Sequence, residues 1–99
     1  MNGDTLAIWK GQDEFGLFFM NSTLNFRVRE HPDFPNAFLI EEFDHEELVN
    51  RVTYTYVEEG VESIWDLLEK ILENPERALE DLIGKKFQIE RVVELRDKY

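Results

Sequence analysis

The chain predicts an α+β domain: an antiparallel or mixed sheet of four to six strands, two C-terminal helices packed on one of its faces, and a final strand. Three observations predict it. The first half alternates short runs of β-branched and aromatic residues with turns rich in Gly, Pro and Asn. Residues 61–84 then switch to a 3.6-residue apolar period, broken once at Asn74-Pro75. From Lys85 to Leu95 the alternating pattern returns. At 99 residues and 42% apolar content, the chain has the core material for one domain spanning 1–99.

The elements follow in order. Thr5–Lys10 is rich in β formers, and Gly11 through Gly16 reads as a hairpin loop, with Leu17–Met20 as the returning strand. Asn21-Ser22-Thr23 is a turn. Leu24, Phe26 and Val28 then alternate with Asn25, Arg27 and Arg29, which marks a half-buried strand. Two prolines in His31–Asn36 make a stiff loop. Ala37–Phe43 reads as a strand covered on both faces at its start. Asp44–Arg51 suits a short helix capped by Asp44, or a wide turn. Val52–Val57 is almost purely β-branched and aromatic, so it predicts a strand.

The helical unit is the clearest passage. Ser63 followed by Asp66 resembles a capping box. Ile64, Leu67, Leu68, Ile71 and Leu72 then form one apolar stripe. Pro75 lacks a backbone N–H and disfavours helical geometry at Asn74, so the pair ends the first helix. The same pair starts the second, with Asn74 as N-cap and Pro75 at the first helical position. Gly84 follows as a residue able to take positive φ. In the last segment Phe87, Ile89, Val93 and Leu95 share a face with Arg91. A strand is expected, although Val92 keeps a helical phase open.

Composition excludes several functions. Cysteine is absent, which removes disulfides, thiolate metal sites and cysteine nucleophiles. Apolar runs stop far short of the ~20 residues of a membrane helix. No basic, then apolar, leader opens the chain, so a cytoplasmic protein is expected. The net charge of −11, from 22 acids and 11 bases, repels nucleic acid and anionic membrane. Partners should be basic or neutral proteins, or cations. Neither Ser22 nor Ser63 sits in a glycine elbow, and no phosphate-cradling glycine loop is present.

Five features are candidates for function. Glu41, Glu42, Asp44 and His45 could hold a divalent cation for a metal-dependent hydrolase, although their spacing matches no named loop; a solvated turn before a short helix is the favoured reading. Pro32-Asp33 followed by Glu41 is similar to half of a PD-(D/E)xK metal site, but Phe43 stands where the lysine belongs. Glu62, Asp66, Glu69 and Glu73 are spaced 4, 3 and 4, and Glu80 continues the charge on the second helix. Such a row could mimic DNA phosphates, or be an ordinary solvated face. Phe34, between two prolines, could anchor a partner or cap the core. Arg91 suggests a charged edge strand.

The length, the absence of cysteine, the 33% charged residues and the capped, loop-poor C-terminal half resemble the small orphan proteins of archaeal filamentous viruses of the Acidianus type. That resemblance implies an α/β protein of a thermophile's virus, working in the host cytoplasm, and carries over no site residues. The functional expectation is a small acidic, non-catalytic protein-interaction or accessory factor. It is not an enzyme, needs no cofactor, and has a protein partner or a second copy, with no direct contact to nucleic acid or membrane. Its candidate partner surface is Phe34, Glu62, Asp66, Glu69, Glu73 and Glu80. The alternatives are a DNA-mimic inhibitor of a nucleic-acid-binding protein and a metal-dependent hydrolase.

Overall fold

A computed structural model describes residues 3–95. Among these residues, six strands and three helices follow one another as β1 (Asp4–Lys10), β2 (Glu14–Phe19), β3 (Leu24–Glu30), β4 (Ala37–Asp44), β5 (Glu47–Thr55), α1 (Tyr56–Glu59), α2 (Ile64–Glu73), α3 (Pro75–Ile83) and β6 (Ile89–Glu94). The strands form one mixed sheet in the order β5-β4-β3-β2-β1-β6. The first five make an antiparallel meander, and β6 lies parallel to β1. A parallel partner needs a crossover, because the chain must return to the far edge before pairing. Here α2 and α3 make that return. Their nineteen residues rise about 28 Å, enough to cross the roughly 24 Å between β5 and β6.

The crossing covers one face only. Leu6, Ile8, Phe15, Leu17, Phe26, Val28, Phe38 and Ile40 point to it from the sheet, and Ile64, Leu67, Leu68, Ile71, Leu79 and Leu82 meet them from the helices. Alternation puts the intervening residues of each strand on the opposite, helix-free face. Strand β4, one in from the β5 edge, is buried from Ala37 to Glu42, as its apolar start predicts.

The caps agree with the sequence. Asn74 closes α2 through its N–H to the Lys70 carbonyl, and its side chain accepts from the Arg77 N–H to open α3. Gly84 takes φ 72° after α3. Ser63 accepts from the N–H groups of Trp65 and Asp66, while the Asp66 carboxylate turns back to the Glu62 N–H.

Four expectations change. The loop after β1 ends at Asp13, so Glu14, Phe15 and Gly16 belong to β2. Gly16 pairs with Trp9, and its missing side chain makes room for the indole, since a Cβ there would lie 2.0 Å from Trp9 Nε1. Asp44–Arg51 is neither helix nor wide turn. His45 and Glu46 form a two-residue hairpin loop with φ 52° and 72°, and Glu47 begins β5. Positive φ at both positions is the geometry that right-twisted strands select, even without the usual Asn-Gly. Third, β5 ends at Thr55 rather than Val57, because Thr55 and Glu58 form a capping box that starts α1. Finally, pairing with β1 slips at Glu90, so Ile89 and Val92, not Val93, pack on the core. Arg91 therefore leaves the core side and stands opposite Thr5 on the helix-free face of an edge strand.

Candidate functional site

The helix-free face has an ordered centre. One cross-strand row reads Trp9, Gly16, Arg27, Glu41, Arg51, running from β1 to β5. Its neighbours place Phe18, Asn25 and Phe43 on one side, and Glu14, Arg29, Leu39 and Thr53 on the other. Arg27 and Arg29 reach this face because β3 alternates them with the core residues Phe26 and Val28. Arg51 reaches it through a β-bulge. The hairpin register alone would set Asn50 opposite Glu41, but β5 inserts Val49 as an extra residue, and Arg51 takes that place.

Glu41 is only 1% exposed. Its Oε1 accepts from Arg27 (NH2 at 2.8 Å, Nε at 3.0 Å) and from Arg29 Nε at 3.2 Å. Its Oε2 lies 3.3 Å from Arg51 NH2. Arg27 also approaches Glu14 at 3.8 Å and stacks over Phe43, 5.6 Å from the ring centre. Burial alone would raise the Glu41 pKa. The hydrogen bonds and charges of Arg29 and Arg27 outweigh it and hold the carboxyl below its ordinary value of 4.5. The carboxylate thus acts as a buried anchor for three guanidiniums whose side chains remain 31–54% exposed.

The residues singled out from the sequence lie elsewhere. Glu41 and Glu42 sit on opposite faces of β4, and Glu42 pairs with Lys85 at 2.6 Å on the helix side. Asp44 accepts from the Thr23 hydroxyl, and His45 is at the exposed hairpin tip. The hydrolase quartet is therefore dispersed, and among the described residues no three His, Asp or Glu side chains are grouped to hold a metal ion. Asp33 is in the loop before β4, so it does not join Glu41 in the arginine cluster. Asp66, Glu69 and Glu73 share the exposed face of α2, whereas Glu62 precedes its N-cap. Glu80 is half-buried in an open groove with Arg77, Lys86 and Phe87. Phe34 is 60% exposed, with its ring 4.6 Å from that of His31. Nδ1 of His31 fixes that loop by accepting from the N–H groups of Asp33 and Phe34.

The sequence pattern alone does not single out the arginine cluster as a site. The alternation of β3 shows Arg27 and Arg29 sharing a face, but Arg51 joins them only through the bulge, which no residue in the hairpin announces.

No family model, no curated protein and no solved structure matches this chain.

Proposed function

We propose that the chain is a small non-catalytic interaction or accessory protein that docks an acidic protein surface on its helix-free sheet face. One observation carries this reading: three partly exposed arginines gathered on a buried carboxylate, beside Trp9, Phe18 and Phe43, in a chain of net charge −11. Each guanidinium has five N–H donors. The contacts with Glu41 and Glu14 occupy one or two, and the rest can grip carboxylates. Arginine and aromatic side chains are also the groups that dominate protein interfaces.

DNA mimicry is less well supported. Asp66, Glu69 and Glu73 make a row only about 10 Å long, and Glu80 turns into a groove beside two cations.

Affinity capture at micromolar concentration tests the proposal, comparing wild type with Arg51→Glu and the control Arg77→Glu. Capture of an acidic protein, or of further copies, should be lost with Arg51→Glu and kept with Arg77→Glu. A wild type that stays monomeric and captures nothing overturns the proposal, as does capture indifferent to Arg51.

A further inference from the structure

We infer that the occupant of the helix-free face is a second copy of this chain, docked head to tail with the acidic row of its α2 across the arginines. The inference rests on the reading of that face as a docking surface. Spacing supports it. Arg27 and Arg51 flank Glu41 two strand spacings apart, about 10 Å. Asp66 and Glu73 are seven residues apart on α2, about 10.5 Å along its axis. A helix laid across the strands sets one carboxylate over each of these arginines and Glu69 between them, within reach of Arg29.

Charge agrees. Residues 56–83, the helical layer, hold nine acids against two bases. One base, Lys70, is turned to the Glu59 carbonyl, and the other, Arg77, is paired with Asp81 on α3. Among the described residues, the helix-free face holds Arg27, Arg29, Arg51 and Arg91 against Glu14 and Glu41. Apolar groups match too, since Trp65 is 37% exposed beside the acidic row. Trp9 lies in the arginine row itself, its indole over Gly16. Repulsion between two chains of −11 acts over distance and is screened beyond roughly 8 Å at physiological salt, whereas contacts at hydrogen-bond range persist. The two surfaces differ, so the contact is heterologous and repeats into a chain of copies or a ring.

Two variants and their mixture test this by light scattering and sedimentation. Arg51→Glu spoils the sheet face and leaves α2 intact. Glu69→Lys with Glu73→Lys spoils α2 and leaves the sheet face intact. All of these side chains are exposed, and circular dichroism verifies that each variant folds. Wild type should grow in mass with concentration and dissociate near ~1 M salt, where screening reaches contact range. Each variant alone should associate roughly tenfold or more weakly. An equimolar mixture should form pairs and stop there, because only one intact sheet face and one intact α2 remain. A monomeric wild type, variants that associate like wild type, or a mixture that does not pair each overturn the inference. If wild type is monomeric yet captures another acidic protein through Arg51, the docking face stands and self-association fails.

Discussion

Replacing Glu41 with glutamine keeps its shape and removes its charge. Three guanidiniums then face one another without their central anion. Breaking a buried ion pair from one side costs about 3–5 kcal/mol when the remaining charge is itself buried. Here the remaining charges sit on side chains 31–54% exposed, so water recovers part of that cost. We expect about 2–3 kcal/mol at pH 7. For a domain of this size that lowers Tm by roughly 10–20 °C. Arg29→Gln or Arg51→Gln should each cost about 1 kcal/mol or less, as partly exposed pairs do. Because the groups share one network, Glu41→Gln combined with Arg29→Gln should cost less than the sum. The pH dependence gives a second readout. The Glu41 pKa is lowered on folding, so its contribution is intact above the unfolded value and lost as pH falls through the folded one. The gap between wild type and Glu41→Gln should therefore close progressively below about pH 4. Urea unfolding followed by tryptophan fluorescence measures all of these. A Glu41→Gln protein as stable as wild type at pH 7, or a gap that widens in acid, would refute the anchoring argument.

Further expectations concern four other places. Gly16→Ala puts a Cβ into the Trp9 indole, so the ring must leave the sheet; a loss of about 1–3 kcal/mol and a red-shifted emission should accompany it in unfolding and fluorescence measurements. His45→Asn with Glu46→Gly relieves two positive-φ positions and should raise stability by roughly 1–2 kcal/mol, read as a higher urea midpoint at unchanged m. The Tyr54 hydroxyl donates to the Leu82 carbonyl, so Tyr54→Phe should cost about 1 kcal/mol. The buried Tyr56 hydroxyl has no partner among the described residues, so Tyr56→Phe should be neutral or stabilising by thermal denaturation. Burial, then the charges of Glu59 and Glu58, raise the Tyr54 pKa. Its contribution is intact below 10.0 and lost as pH rises through the folded value, which Tyr54→Phe should abolish in alkaline titration.

The helical unit and most strands were legible because each rests on local rules. The 3.6-residue apolar period gave α2, Asn74-Pro75 gave the bend, and alternation gave β3. The hairpin at Asp44–Glu47 was not legible, because His45 and Glu46 are poor residues for positive φ and only the strands on either side impose it. Gly16 misled for the opposite reason: it marks close approach of Trp9 rather than a turn. The candidate surface split in the same way. Exposure of Asp66, Glu69 and Glu73 followed from helix periodicity, while Glu62 fell outside α2 because the cap lies one residue after it. The arginine cluster depends on three strands, β3, β4 and β5, meeting in register and on one bulge, all of which are long-range facts.

The cluster is a poor device for stability, and that bears on its use. A buried ion network seldom outperforms apolar side chains of similar volume, because desolvation takes back most of the Coulomb gain. Apolar side chains fit this face, since Leu39 and Phe43 stand two residues either side of Glu41 on the same strand. Arg27, Arg29 and Arg51 could in principle give way to Val, Thr or Tyr, which strands favour. What the anion adds is position. It holds three flexible side chains at one place with their outer N–H groups free, so binding does not have to order them again. The net charge of −11 conceals this, because a sum over the chain averages an acidic helical layer with an arginine-bearing sheet. A net charge of this sign argues against a broad nucleic-acid surface. It does not argue against an acidic partner at one face, and the chain presents such a surface on its own α2.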